Sequence, residues 1–244
     1  MLRHKLLNIT SRDKDASSNS NSDFTVSLNN IKELQTARSV IIKQVSIPIT
    51  MYNITAFNRT FSYKIATVLS SFSITAGQYN ITTLISALQT AGSALGLAIT
   101  QNAITNKLSF TTTTNIEYLT ITQNAMADVL GIKTGSGADV ASYTSGNIVD
   151  LGGVKNIYLE SNIGEHNLIR SNKKTISILG VIPVNAKYGF TEHYISSHTE
   201  IDDVDNNSHG GRNHQQISIV LRDSNDNILD LNGHHVEIVL KVYF

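Results

Sequence analysis

The sequence predicts an all-β protein, an eight-stranded jelly-roll β-sandwich that carries a small inserted α/β subdomain. Three observations lead to this fold class. Apolar and polar residues alternate near both ends of the chain, about eight strand-like runs lie outside its middle, and glycine, asparagine and aspartate clusters separate these runs. Antiparallel strands joined by long connections are typical of a two-sheet jelly roll.

Residues 1–22 are predicted to form a flexible N-terminal arm. This stretch ends in Ala-Ser-Ser-Asn-Ser-Asn-Ser, a polar segment of low complexity. Such a composition buries too little apolar surface to offset the conformational entropy lost on ordering. We therefore expect the arm to be mobile unless a neighbouring molecule holds it.

The jelly-roll core is predicted to comprise residues 23–76 and 150–244. Alternation with a period of two places one set of side chains inward and the other outward. It is clearest at the end of the chain, where a slip of one residue would turn a whole apolar row towards water, so the register is well specified. The alternating segments are 24–28, 61–65, 217–221 and 236–244.

Two further runs, at 40–49 and 176–184, are apolar and β-branched and are expected to be more deeply buried. Each contains one of the two prolines, Pro48 and Pro183. Proline cannot donate a ladder hydrogen bond, so each strand is expected to end near its Ile-Pro step. Further strands are expected at 69–75 and 154–160, and turns at 223–227 and at Asn232-Gly233.

Residues 77–149 are predicted to form an inserted β-α-β-β-α subdomain. Apolar residues repeat at helical spacing from Leu84 to Leu95, and Gly96 is expected to stop that helix. A second short helix is expected from an Asn124 cap to Gly131. The remaining predicted elements are strands at 97–102, 107–113 and 116–122, a turn near Asn106 and an exit loop at 135–137.

The composition argues against several classes of function. Lysine plus arginine and aspartate plus glutamate both number 19, and charged residues make up 16% of the chain, so the basic surplus that nucleic-acid binding needs is absent. There are no cysteines, which excludes disulfides and thiolate metal sites. No apolar run reaches the length of a membrane span, and the N-terminus lacks the apolar region of a secretory signal, so we expect synthesis in the cytosol of the cell that produces the protein.

Two patterns could bind metal ions. Histidines near the C-terminus, together with Asp202, Asp203 and Asp205, could hold Zn or Mn, but their spacing fits no ligand motif and solvated loop histidines are the alternative. The segment 223–227 begins like a calcium loop, although Ile228 occupies the glycine position and His234 the glutamate position. We predict no metal site. The histidines are His193, His198, His209, His214, His234 and His235.

No residues are predicted to be catalytic or to bind a cofactor, and the chain is not expected to be an enzyme. It has no Gly-x-Ser-x-Gly elbow, and the glycines at 131–137 do not form the Gly-x-x-x-x-Gly-Lys-Ser/Thr pattern of a phosphate loop. Tyr188, Phe190 and Tyr194 could contribute to a sugar-stacking platform, and packing in the core or on the surface is the alternative reading for them.

Three stretches of the chain resemble the penton and minor capsid proteins of virophages, Polintons and related double-stranded DNA viruses. Residues 22–28 followed by 40–54 resemble the first strands of that family. Residues 77–84 leading to 130–132 are similar to its helix-bearing element. Residues 217–223, the Leu-Asp-Leu-Asn-Gly step at 229–233 and the strand to Leu240 resemble its last hairpin, with His234-His235 where an aromatic residue is more frequent.

The resemblance implies a structural protein of the virion without catalytic residues, a homopentamer that occupies the fivefold vertices of an icosahedral capsid and contacts the major capsid protein. The N-terminal arm would face the interior or a neighbouring subunit. The insert would project outward, where a fibre or a host surface could contact it. The alternatives are a minor or cement capsid protein, a receptor-binding or carbohydrate-binding spike head, and a cupin-like enzyme that uses the C-terminal histidines.

Overall fold

The computed structural model describes residues 4–28, 39–65, 68–116, 125–133, 140–163, 166–169, 175–196 and 216–243. The chain forms two compact units. The first unit comprises Met1–Met51 and Val154–Phe244, and the second comprises Tyr52–Gly153. The second unit therefore begins well before residue 77, the predicted start of the insert.

Strands form most of the regular secondary structure among the described residues. In chain order the strands are β1 His4–Thr10, β2 Asp23–Ser27, β3 Ser39–Pro48, β4 Thr60–Ile65, β5 Val68–Ser73, β6 Ala98–Gln101, β7 Leu108–Ile116, β8 Val140–Thr144, β9 Asn156–Ser161, β10 His166–Ile169, β11 Thr175–Pro183, β12 Thr191–Ile195, β13 Gln216–Arg222 and β14 Glu237–Tyr243. The helices are α1 Ile81–Ala91 and α2 Ala125–Val129.

The first unit is a sandwich of two antiparallel sheets. One sheet has the order β1-β14-β3-β12, and the other has the order β10-β11-β9-β13-β2. Buried side chains from both sheets form a single hydrophobic core. Strand β10 lies at one edge, and the other eight strands form two four-stranded sheets. Along these eight strands the chain passes from one sheet to the other at every connection except the one from β9 to β11. This is jelly-roll topology, and the predicted fold class is confirmed.

Alternating side chains build this core. On β13, Ile217, Ile219 and Leu221 are fully buried, whereas the residues between them are only partly buried. On β14, Ile238 and Leu240 are fully buried in the same way. Each such side chain stabilises the fold by about 1.5–3 kcal/mol relative to an exposed one, so the period-two pattern near the C-terminus is a main source of stability.

The N-terminal residues do not form the expected unstructured arm. Strand β1 pairs along its whole length with the last strand, from His4 opposite Tyr243 to Thr10 opposite Glu237. Only Ile9 of this strand is buried, so the apolar pattern that would have predicted it is too short to recognise. The first strand of the jelly roll is therefore an edge strand within residues 1–22, and the prediction of a flexible arm is wrong for β1.

The polar segment that follows β1 is held by hydrogen bonds along β2 and a C-terminal loop. The Asp15 carboxylate accepts bonds from the Ser27 amide (3.2 Å) and the Ser27 hydroxyl (2.8 Å). The Asn21 side-chain amide donates to the Gly233 and His234 carbonyls at 2.9 and 3.0 Å, and the Ser22 hydroxyl donates to the Leu229 carbonyl. Short polar side chains can satisfy backbone groups in this way, so low complexity here does not prevent ordered structure.

The second unit contains the β4–β5 hairpin, the three-stranded sheet β6-β7-β8 and both helices, around a core of its own. The hairpin of this unit contains the segments 61–65 and 69–75. Their predicted place in the jelly-roll core is therefore wrong. Strand β8 was not predicted. The predicted strand at 116–122 overlaps the end of β7, and its remaining residues, like the loop at 135–137, lie outside the described residues.

Both predicted helices form, but α1 ends at Ala91, with Gly92 as its C-cap, four residues before the predicted end at Leu95. Helix α1 starts with a capping box in which Asn80 and Thr83 each bind the other's backbone amide, and Gly96 (φ 60°) follows the short 3-10 turn after the helix. Gly131 (φ 70°) follows α2 in the left-handed conformation that favours glycine. The proposed cap residue, Asn124, lies outside the described residues.

Asn53 joins the two ends of the second unit. Its side-chain amide donates to the Tyr79 carbonyl (2.8 Å) and to the Leu151 carbonyl (3.2 Å), and its side-chain oxygen accepts from the Tyr79 amide (2.9 Å). Asn53 is 6% exposed. Residues near the start and the end of the unit are thus held together by one buried polar side chain.

Candidate functional site

The two ends of the chain are joined in the first unit by a fully buried serine. The Ser11 amide donates to the Val236 carbonyl (3.0 Å), and the Ser11 hydroxyl accepts from the Val236 amide (3.1 Å). The same hydroxyl lies 3.1 Å from Nδ1 of His235. The sandwich is therefore closed by its own termini, and the surfaces it offers to other molecules are its sheet faces, edges and loops.

The outer face of the four-stranded sheet is assigned by strand register. Asn8, Val239, Gln44 and Ile195 form one row across all four strands. Leu7, Ile9 and Tyr194, which point the other way, pack into the core. The residues of the outer face in and next to this row are Leu6, Asn8, Glu237, Val239, Lys241, Ile41, Gln44, Ser46, His193 and Ile195.

Polar contacts on this face are few and local. The Asn8 side-chain amide donates to Oε1 of Glu237 (2.9 Å), and Ser46 Oγ lies 3.1 Å from Nδ1 of His193. Large apolar side chains lie at both edges of the sheet: Leu6 on β1 is 63% exposed and Ile195 on β12 is 65% exposed. Both residues lie on edge strands, whose outer backbone groups can pair with another strand.

The outer face of the five-stranded sheet is occupied by internal polar contacts. Arg222 Nε donates to Oε2 of Glu160 at 2.7 Å and lies 3.5 Å from Asp226 Oδ1. The Asn162 side chain accepts from the Ser218 amide (3.0 Å) and donates to the Gln216 carbonyl (2.9 Å). Arg222, Glu160 and Asn162 on this face therefore bind groups of their own chain.

The connection from β11 to β12 is a compact loop with aromatic residues. Oε2 of Glu192 accepts from the amides of Asn185 (2.6 Å) and Ala186 (2.7 Å), and Glu192 is 9% exposed. Tyr188 is 41% exposed and Phe190 is 67% exposed. Of the three aromatic residues considered for a sugar platform, these two face solvent, whereas Tyr194 packs against the core.

A cavity of about 390 Å³ lies between the segment 14–22 and the loop 228–233. Of the polar side chains that line it, Lys14 donates to Oδ1 of Asn21 at 2.6 Å, and Asp230 Oδ1 accepts from the Asn232 amide at 2.8 Å. These groups bind one another, so nothing in the lining indicates a particular ligand.

The predicted histidine cluster is only partly described. His193 lies on β12, and His234 and His235 follow the Asn232-Gly233 turn. The described part of the chain contains no group of three or more histidine, cysteine, aspartate or glutamate residues that could hold a metal ion. The histidines and aspartates that lie outside the described residues are His198, His209, His214, Asp202, Asp203 and Asp205.

The calcium-like segment is a turn held by its own first residue. Oδ1 of Asp223 accepts from the amides of Asn225 (2.8 Å) and Asn227 (2.9 Å), and Oδ2 accepts from the Asn227 side chain (2.9 Å). The carboxylate is therefore engaged with the backbone of the turn. Asn232 (φ 48°) and Gly233 (φ 82°) form the second predicted turn, with both residues in the left-handed region.

Among the described residues, neither helix is long and apolar enough to cross a membrane.

The described architecture belongs to the class of all-β, single jelly-roll proteins. Among solved structures, the chain is similar to the crystal structure of a selenomethionine-labelled mavirus penton protein, with 11% sequence identity over 99% of each chain and a TM-score of 0.46. No protein-family model matches the chain, and no curated protein matches it.

Proposed function

We propose that this chain is a structural capsid protein of the vertex type, a homopentamer that occupies the fivefold vertices of an icosahedral shell and contacts the surrounding major capsid protein. The observation that carries the proposal is a jelly-roll sandwich closed by both chain ends, with Leu6 and Ile195 exposed at the two edges of one sheet. The sequence resemblance to penton and minor capsid proteins supports the same role.

Assembly suits this structure better than catalysis. The polar side chains described above, including Glu192, Asp223 and Arg222, bind groups of their own chain. A ring built from one kind of chain needs two different surfaces that fit each other, which a sandwich can offer at its two flanks. The net charge of zero lowers the repulsion between copies brought together at a vertex.

Under this proposal the protein is made in the host cytoplasm and resides in the virion. The second unit would be the part that contacts a fibre or a host surface. A minor or cement protein of the same capsid is the neighbouring alternative, in which the chain binds the shell without forming its own ring.

The oligomeric mass in solution tests the proposal. Light scattering after size-exclusion chromatography should give about 133 kDa, five copies of a 26.6 kDa chain. A persistent monomer or dimer would count against the vertex role and favour a cement protein, and a trimer would favour a spike head. Low-resolution images of the purified particle should show fivefold symmetry.

A second candidate function is receptor or carbohydrate binding, favoured by the exposed aromatic rings of Tyr188 and Phe190. Aromatic rings that face solvent can stack on sugar rings through their apolar faces. A glycan screen should then give a saturable signal that Phe190→Ala abolishes. Phe57→Ala is the matched control, because Phe57 in the second unit is exposed to a similar degree, 65% against 67%.

A further inference from the structure

The four-stranded sheet of the first unit ends in two edge strands. Among the described strands, β1 pairs with β14 alone and β12 pairs with β3 alone. The outer side of an edge strand presents backbone N–H and C=O groups that can pair with another strand, and natural edges are commonly protected by lysine, proline or a bulge. The outward residues of β12 are Thr191, His193 and Ile195, which include neither lysine nor proline.

The two edges match in the face on which their apolar residues lie. Leu6 is paired with Lys241, and Ile195 is paired with Gln44, both on the outer face of the sheet. A strand added at either edge keeps its side chains in the same alternation, so Leu6 of one copy and Ile195 of another would meet on one face. Burying both residues would remove two large exposed apolar side chains from water.

The two edges also match in direction. All three strand pairs of the sheet are antiparallel, so β1 and β12, separated by two strands, run in opposite directions. Rotation about an axis roughly parallel to the strands leaves their direction unchanged. The β12 edge of one copy would therefore meet the β1 edge of the next copy in antiparallel orientation, which is the more stable kind of pairing.

We propose that the β12 edge of one copy binds the β1 edge of the next copy and that this contact, centred on Ile195 and Leu6, forms the ring. The inference rests on the proposed function and names the surfaces that carry it out. The partner is a second copy of this chain, because the two edges of one sheet complement each other in strand direction and in the face of their apolar residues. Such a contact is heterologous and closes when the rotation per copy divides the circle.

Paired cysteines test the contact directly, because the natural chain contains no cysteine. Within one copy, positions 6 and 195 lie three strand spacings apart and in different rows, so their separation is at least about 14 Å. This separation exceeds the roughly 7 Å limit between the Cα atoms of a disulfide, so any bond in the double variant Leu6→Cys/Ile195→Cys must join two copies.

Oxidation of the double variant should give a ladder of covalent multimers on a non-reducing gel. The largest multimer should contain as many copies as the ring, and a reductant should convert all multimers to monomer. An equal mixture of the two single variants should stop at dimers. Each single variant alone should cross-link at least tenfold less than the mixture.

The matched control is Leu6→Cys/Gln44→Cys. Gln44 is exposed and lies in the same row as Ile195, but on β3, one strand in from the edge. This variant should give no ladder under the same oxidation. In a second test without cysteines, Ile195→Asp should weaken ring formation at least tenfold, whereas Gln44→Asp should leave it unchanged.

Different outcomes overturn different statements. If unoxidised protein forms a ring and the double variant gives no ladder, the assignment of the edges is wrong while the proposed function stands. If either single variant alone cross-links as well as the mixture, like edges pair across a twofold axis and the assignment is also wrong. A monomer at every concentration would overturn both the assignment and the proposed function.

Discussion

His4 lies opposite Tyr243 in adjacent antiparallel strands, with their ring centroids 5.9 Å apart. The first and last strands of the described chain are thus direct neighbours in one sheet. The first unit therefore depends on the pairing of β1 with β14, which leads to the first two predictions.

Deletion of residues 1–10 should destabilise the first unit by at least about 2 kcal/mol, since the buried Ile9 is lost and the edge of β14 is left unpaired. Thermal unfolding should show a lower midpoint, and the variant should aggregate more readily. An unchanged midpoint would mean that these residues behave as the mobile arm that the sequence alone suggested.

Ser11→Ala should lower the free energy of unfolding by about 1–3 kcal/mol, because the buried Val236 amide would lose its acceptor. Denaturant titration measures this change. Ser142→Ala, at an exposed position on β8, is the control and should change stability by less than about 0.5 kcal/mol. Equal effects of the two substitutions would contradict a closing role for Ser11.

Glu192→Ala should leave two backbone amides in the loop before β12 without their acceptor. It should lower the free energy of unfolding by about 2–3 kcal/mol, because hydrogen bonds to a carboxylate are stronger than neutral ones. Glu192→Gln keeps an acceptor oxygen and should cost less. Hydrogen exchange at Asn185 and Ala186 should accelerate in the alanine variant. If the two variants have the same stability and exchange, the loop does not depend on this acceptor.

Gly131→Ala should be more destabilising than Gly233→Ala. Both glycines have positive φ, so each substitution carries backbone strain of order 1–3 kcal/mol. At position 131 the new Cβ would also lie 2.7 Å from the Ile148 carbonyl oxygen, whereas at 233 nothing lies within 4 Å. Denaturant unfolding of both variants gives the order, and the reverse order would be inconsistent with the packing after α2.

Purified protein should contain no stoichiometric zinc, manganese or iron, and a chelator should leave its unfolding midpoint unchanged. The physical reason is that the Asp223 carboxylate is engaged with the backbone amides of its own turn. Elemental analysis that finds one metal ion per chain would revive the cupin-like alternative and direct attention to the histidines at 198–214.

Periodicity predicted the strands whose side chains are buried, and it failed where burial is slight. The alternating runs near 217–221 and 236–244 form β13 and β14, because every second residue contributes to the core. Strands β1 and β12 were missed because edge strands bury few side chains: Ile9 on β1, and Glu192 with the partly buried Tyr194 on β12. A local pattern also cannot say which core a strand joins, which is why the segment 61–65 was assigned to the wrong unit.

The candidate contact surface could not be predicted for a related reason. Leu6 and Ile195 are far apart in the sequence, and only the strand order places them at opposite edges of one sheet and on one face. The exposure of an apolar side chain depends on whether another strand or loop covers it. The local sequence does not specify these neighbours. The composition did indicate a chain without a strong electrostatic preference, which is compatible with association between identical copies.

The hydrogen bonds of Asn53 have a consequence for how the second unit can vary. Because this one side chain holds residues near the unit's beginning and end together, the chain leaves β3 and returns to β9 through neighbouring positions, whatever lies between them. The entropic cost of closing such a loop grows only slowly with its length. The segment between Tyr79 and Leu151 should therefore tolerate changes in length at little cost to the sandwich, provided that Asn53 and both of its partners are kept. This segment is the natural place to graft a displayed peptide.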